Sequence, residues 1–155
     1  MRRHLPFTAA AVTATAVVGA IGTDVQSAWY AALRKPRWQP PGPVFGPAWT
    51  LLYGMLAGAA ARTLDRMPDG ERSGYAAALG ANLVLNAGWN WLFFRARRPR
   101  WALAEILVLE TSTIDLIRRS APHDRTAAGL LVPYGVWVGF AAALTGSIAH
   151  RNKKS

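Results

Sequence analysis

The sequence predicts an all-α integral membrane bundle of five transmembrane helices, and three observations carry that prediction. Of 155 residues, 52% are hydrophobic and 17% charged, whereas a soluble domain of this length carries about 25% charged residues. The charges gather in short clusters instead of spreading along amphipathic faces. Between the clusters lie five apolar runs, each close to the roughly 20 residues that one crossing of hydrocarbon needs. The whole chain, 1–155, reads as a single membrane domain, with nothing left over for a soluble one. The absence of cysteine excludes disulfides, iron–sulfur clusters and thiolate metal sites. The net charge of +10 comes from Lys and Arg flanking the apolar runs, the pattern of anchoring at anionic headgroups. The expected partner is therefore the lipid bilayer, and nucleic acid is not expected.

The first span covers 5–23, behind Arg2, Arg3 and His4. A basic start before an apolar core also describes a secretory signal peptide. This run is longer than a signal core and no A-x-A site follows it, so it is expected to remain as a helix. Residues 24–43 form a lid rich in proline and tryptophan. Prolines 36, 40, 41 and 43 fix φ and remove donors, so the lid is expected to be stiff and largely extended until it enters a helix. The second span is 44–61, with Pro47 tolerable in its first turn. A polar turn at 63–73 contains Pro68, Asp69 and Gly70. The third span is 74–94, closed by Arg95, Arg97, Arg98 and Arg100; the fourth is 101–117, closed by Arg118 and Arg119. The fifth is 127–149, and the basic tail HRNKKS is expected to fray.

Five crossings put the chain ends on opposite sides. Side A holds the N-terminus, the 62–73 link and the 118–126 link, with eight Lys and Arg; side B holds the lid, the 95–100 link and the C-terminus, with ten. The positive-inside rule then favours side B, with lid and C-terminus, as cytoplasmic. In the same frame the unusual residues of every span converge under the lid. Phe45, Trp49 and Tyr53 share one face at a spacing of four; Asn82, Asn86, Trp89 and Asn90 form a stripe; Trp137, Phe140, Ala141 and Leu144 run toward side B. Trp101 and Glu105 begin span four there, and Asp24 ends span one. Polar side chains in hydrocarbon need partners, so Asn86, Asn90 and Glu105 are expected to face inward. Asn86 reads equally as interhelical glue or as a ligand contact. Trp29, Trp91 and Trp101 fit an interfacial belt, whereas Trp49 and Trp137 lie deeper and read as pocket lining.

Glu110, beside Thr111, Ser112 and Thr113, reads as a carboxyl hydrogen-bonded within the bundle, with a proton or ion relay as the alternative. Asp115 is expected to pair with Arg118 or Arg119. Gly54 with Gly58, and Ala77 with Ala81, are small-xxx-small pairs that serve either packing within the chain or a homodimer seam. No nucleotide, nucleophile-elbow or zinc-protease motif is present. The histidines at 4, 123 and 150 lie at span ends, so a tetrapyrrole held here is expected to be metal-free or stacked, with His150 the candidate for axial ligation. A planar porphyrin fits these residues. Trp38, Trp49 and Trp137 supply aromatic walls, Asn86 an amide donor, and Arg34, Lys35 or Arg37 a cation at the mouth for propionates.

Three motifs carry a family resemblance: WY..L.KP.W.PP..VF...W..LY at 29–53, LNA.W..LFF at 85–94 and LL.PY..W..FA..L at 130–144. Over nearly its whole length the chain resembles the TspO family of tryptophan-rich sensory and translocator proteins. The resemblance implies a five-helix bundle, often dimeric, that binds porphyrins such as protoporphyrin IX and needs no cofactor. It implies a ligand pocket built from Trp38, Phe45, Trp49, Tyr53, Asn86, Trp89, Trp137, Ala141 and Leu144. The family's sterol-recognition pattern departs here, with Gly146 at its tyrosine and Thr145 at its asparagine, so sterol binding is not implied through it. The expected function is porphyrin handling or stress sensing, with transport as one form of it. The alternatives are light-dependent porphyrin breakdown, with Trp49 or Trp137 as electron donor, and proton- or ion-coupled transport through Glu105 and Glu110.

Overall fold

The computed structural model describes residues 3–153, so Arg2 and Lys154, counted above, lie outside the described residues. The described chain has no strand. Its helices are α1 (Leu5–Gly22), α2 (Ala28–Ala32), α3 (Gly42–Arg66), α4 (Asp69–Asn90), α5 (Pro99–Ser120) and α6 (Arg125–Arg151), with a π-helical turn at Trp91–Arg95 after α4. Three of them, α1, α3 and α6, are long and apolar enough to cross a membrane. Helices α4 and α5 have 22 residues each, long enough for a crossing, but carry polar groups along their length. Among these are Asn82 and Asn86 in α4 and Glu105 and Glu110 in α5.

Helix α1 packs on α3 and α4, α5 lies between α4 and α6, and α3 closes against α6. Leu56, Leu79, Leu109, Leu131, Tyr134 and Val138 are fully buried between them. The side A ends are tied by ions and hydrogen bonds. The backbone N–H groups of Arg3 and His4 each donate to the Asp65 carboxylate at 3.0 Å, and the His4 ring meets it at 2.6 Å. Asp124 caps α6 by accepting from the Ala127 N–H at 3.1 Å. It also takes Arg62 Nε at 2.9 Å and the guanidinium of Arg66. Glu71 meets His123 at 3.1 Å, and the Tyr75 and Ser120 hydroxyls are 3.0 Å apart.

Several local expectations change. The polar turn at 63–73 shrinks to Met67 and Pro68, because Arg62 and Arg66 extend α3 to reach Asp124 while Pro68 starts α4. The lid is not extended throughout. Ser27 caps the short helix α2 by accepting from the Tyr30 N–H at 3.1 Å, and the chain straightens only after it. The tail does not fray at once: Asn152 accepts from the Arg34 N–H and donates to the Arg34 carbonyl, both at 3.0 Å, pinning the lid to the end of α6. Asp115 is unchanged from expectation, pairing with Arg119 at 2.7 Å. Gly54 and Gly58 have open space around them and Ala77 and Ala81 are exposed, so neither pair packs within the chain. The close approach lies elsewhere. A Cβ on Gly22 would stand 2.7 Å from the Trp91 indole, whose N–H donates to the Val18 carbonyl at 3.0 Å.

Burial alone would raise the Asp124 carboxyl, but the Ala127 N–H, Arg62 and Arg66 outweigh it and hold it below the usual range. A lowered folded value means that this stabilisation is complete above about pH 4 and is lost as pH falls through the folded value. Asp124→Asn should lower stability in detergent by about 1–3 kcal/mol, because the arginines are partly hydrated. Thermal unfolding followed by circular dichroism should show a flatter response in the variant than in the wild type between pH 5 and about pH 3.

Candidate functional site

A cavity of about 660 Å³ lies under the lid at side B, and every main element contributes to its wall. Helix α3 enters it with Phe45, Trp49 and Tyr53, one helical turn apart. Helix α4 supplies Asn86, Trp89 and Asn90; α6 supplies Trp137, Ala141 and Leu144. The lid adds Tyr30, Lys35 and Gln39, α5 adds Ile106 and Leu109, and the end of α1 adds Gly19 and Thr23.

The aromatic rings pack mostly edge to face. Trp49 and Trp137 stand 6.2 Å apart and nearly perpendicular, Phe45 lies 5.8 Å from Trp137, and Trp49 lies 5.4 Å from Tyr53. Trp89 stacks on Phe93 at 5.1 Å. Each such pair is worth about 0.5–1.5 kcal/mol beyond its buried area, so the walls hold their shape.

Behind the rings runs a chain of hydrogen bonds with one direction. Tyr53 donates to Asn86 Oδ1 at 2.7 Å, Asn86 Nδ2 donates to the Tyr134 oxygen at 2.9 Å, and Tyr134 donates to Asn82 Oδ1 at 2.9 Å. Asn82 Nδ2 then donates to Thr113 at 3.1 Å and Ser112 at 3.2 Å. Asn86 is therefore glue in its geometry while also lining the cavity. Because the Tyr53 hydrogen is spent on Asn86, its oxygen is left as an acceptor.

Of the expected pocket residues, Phe45, Trp49, Tyr53, Asn86, Trp89, Trp137, Ala141 and Leu144 line this one cavity. Trp38 does not: it is half exposed and packs edge-on to Phe140 at 5.7 Å. Among the mouth cations Lys35 is part of the wall, donating to the Tyr30 carbonyl at 2.6 Å and lying 4.2 Å from that ring's centre. Arg34 and Arg37 are exposed outside it. None of the three histidines lines the cavity, and the described residues hold no cluster of metal-ligating side chains. Glu105 and Glu110 also lie outside the wall. Sequence reasoning missed Gly19 and Thr23, whose signal was a small residue one turn before the end of an apolar run. It also missed Tyr134 as the bridge between two asparagines.

The sequence model of the TspO/MBR family matches residues 7–151. The chain belongs to the TspO/MBR family. It is 33% identical over 141 residues to tryptophan-rich protein TspO of Chlorobaculum tepidum, covering 90% of this chain and 89% of that protein. Over 144 residues it is 35% identical to the TspO of Archaeoglobus fulgidus, covering 90% and 92%. The human translocator protein is 34% identical over 119 residues, covering 75% of this chain and 70% of that protein. As a TspO/MBR protein the chain is a multi-pass integral membrane protein, and the aromatic cavity lies within the matched region.

Tyr134 is fully buried at the centre of the hydrogen-bond chain and does not touch the cavity. Tyr134→Phe should leave Asn82 and Asn86 each short of one partner at a cost of about 1–3 kcal/mol. In detergent its Tm should fall by about 3–8 °C, while size-exclusion chromatography still gives the wild-type profile.

Proposed function

We propose that this protein spans the bilayer five times and binds a porphyrin such as protoporphyrin IX in the cavity beneath its lid, without a required cofactor, to handle or sense it. The observation that carries this reading is the wall itself. Flat indole and phenol rings from α3, α4 and α6 face a common space with few polar groups, which suits an apolar planar molecule. Its volume falls within the roughly 300–1,000 Å³ usual for ligands of this size. The Tyr53 oxygen offers an acceptor to a pyrrole N–H, and Lys35, with Arg34 and Arg37 outside, meets propionates at the mouth. Trp38 then acts from the lid and not from the wall. The counts of ten cations on side B and eight on side A support a cytoplasmic lid. Outward-facing Gly54, Gly58, Ala77 and Ala81 support a homodimer seam.

Titration of protoporphyrin IX should quench the protein's tryptophan fluorescence saturably. Trp137→Ala and Asn86→Ala, followed through the porphyrin's own absorbance, should each weaken binding by about tenfold, the order that losing one aromatic or buried polar contact brings. A linear response without saturation in the wild type would mean partition into detergent and would sink the reading.

One observation favours a second reading. Both carboxylate oxygens of Glu105 and Oε2 of Glu110 are shut off from solvent with no hydrogen-bond partner. Glu105 lies against Gly88 of α4 and Glu110 against Gly139 of α6. Carboxyls inside a membrane bundle mark ion or proton pathways. If they serve it, proton-driven flux into proteoliposomes is abolished by Glu110→Gln with porphyrin binding intact; unchanged flux in that variant removes the reading.

A further inference from the structure

A second cavity, of about 550 Å³, opens at side B outside the aromatic one. It lies where the lid, the start of α5 and the end of α6 meet, and its walls include Trp29, Arg97, Arg98, Arg100, Trp101 and Lys153. Three arginines within four residues repel one another unless an anion joins them. Among the described residues no carboxylate pairs with any of the three. Arg97 has a φ of 55°, the only non-glycine residue described in that left-handed region. Glycine is the usual residue there, so the turn keeps a guanidinium at a conformational cost.

The surroundings of these charges are amphiphilic. Leu33 and Ala149 give the groove an apolar floor, and Trp101, 62% exposed, stands at its edge. Tryptophan at this level of a membrane helix sits among headgroups. Beyond Trp101, α5 exposes Ala104 and Val108, three and seven residues on, an apolar strip leading away from the arginines along one face. A free phosphate would use the charges but neither the indole nor the strip.

We propose that this groove binds the headgroup phosphate of an anionic phospholipid, with an acyl chain lying along the Trp101–Val108 face of α5. The inference rests on α5 crossing the bilayer, as proposed above, and is independent of what the aromatic cavity holds.

The test needs no porphyrin, so its failure is separate from failure of the porphyrin reading. The purified full chain in neutral detergent is exchanged with equal amounts of phosphatidylglycerol and phosphatidylcholine of matched chains, and retained lipid is counted by native mass spectrometry. The wild type should keep phosphatidylglycerol in preference, and each arginine removed from the groove should weaken that preference by about fivefold. The variant combining Arg97→Gly, Arg98→Gln and Arg100→Gln should retain both lipids alike. Arg118→Gln with Arg119→Gln, at the opposite side, should behave as wild type. Should the triple variant lose its monodisperse profile, Arg97→Gly alone decides, since glycine suits that backbone; about fivefold is expected. Equal retention of the two lipids by the wild type overturns the proposal. So does a triple variant that keeps the preference, or displacement of phosphatidylglycerol by excess inorganic phosphate, which would mark a free-anion site.

Discussion

A polar side chain buried between helices is costly unless another part of the chain answers it. The line from Tyr53 through Asn86 and Tyr134 to Asn82 and the hydroxyls of Ser112 and Thr113 is this protein's answer, and it ties α3, α4, α6 and α5 together. Individual bonds of this kind contribute only about 0.6 kcal/mol in a membrane. Their weight lies in specificity, because each alternative packing leaves an amide or phenol unanswered. Every donor in the line is directed the same way, so the register of four helices is fixed together.

That register determines the aromatic cavity. With Asn86 held between Tyr53 and Tyr134, the faces of α3 and α6 that carry Trp49 and Trp137 are turned toward each other, while Trp89 stacks on Phe93 one turn further along its own helical stretch. At the other side the hydrogen bonds of Asp65 and the ion pairs of Asp124 hold the helix ends together. The bundle is thus polar and tied at side A, cross-linked through its middle, and opened into an apolar chamber at side B.

Much of this was legible in the chain. Apolar runs separated by Arg clusters locate the helices, and the spacing of Phe45, Trp49 and Tyr53 places three rings on one face before any neighbour is known. What spacing cannot say is which helix meets which face. Tyr134 therefore could not be recognised as the partner of Asn82 and Asn86, which lie 52 and 48 residues away from it. The helix ends were read short for a related reason. Arg62 and Arg66 look like a polar boundary, yet their target, Asp124, is supplied by a distant link, and it extends α3. Trp38 shows the opposite failure. A tryptophan in a lid motif reads as a wall, whereas the bend after α2 turns it onto the outer edge of Phe140.

The two hydrogen bonds between Asn152 and the backbone of Arg34 make the lid asymmetric. Its middle is latched to the last turn of α6, while between Asp24 and Ser27 the hydrogen bonds are short-range, from the Gln26 N–H to Asp24 Oδ1 and from the Ser27 hydroxyl to the Asp24 carbonyl. The last turn of α6 thus serves the cap as well as the bundle, since the same helix that brings Trp137 to the cavity wall also fastens the segment lying over it.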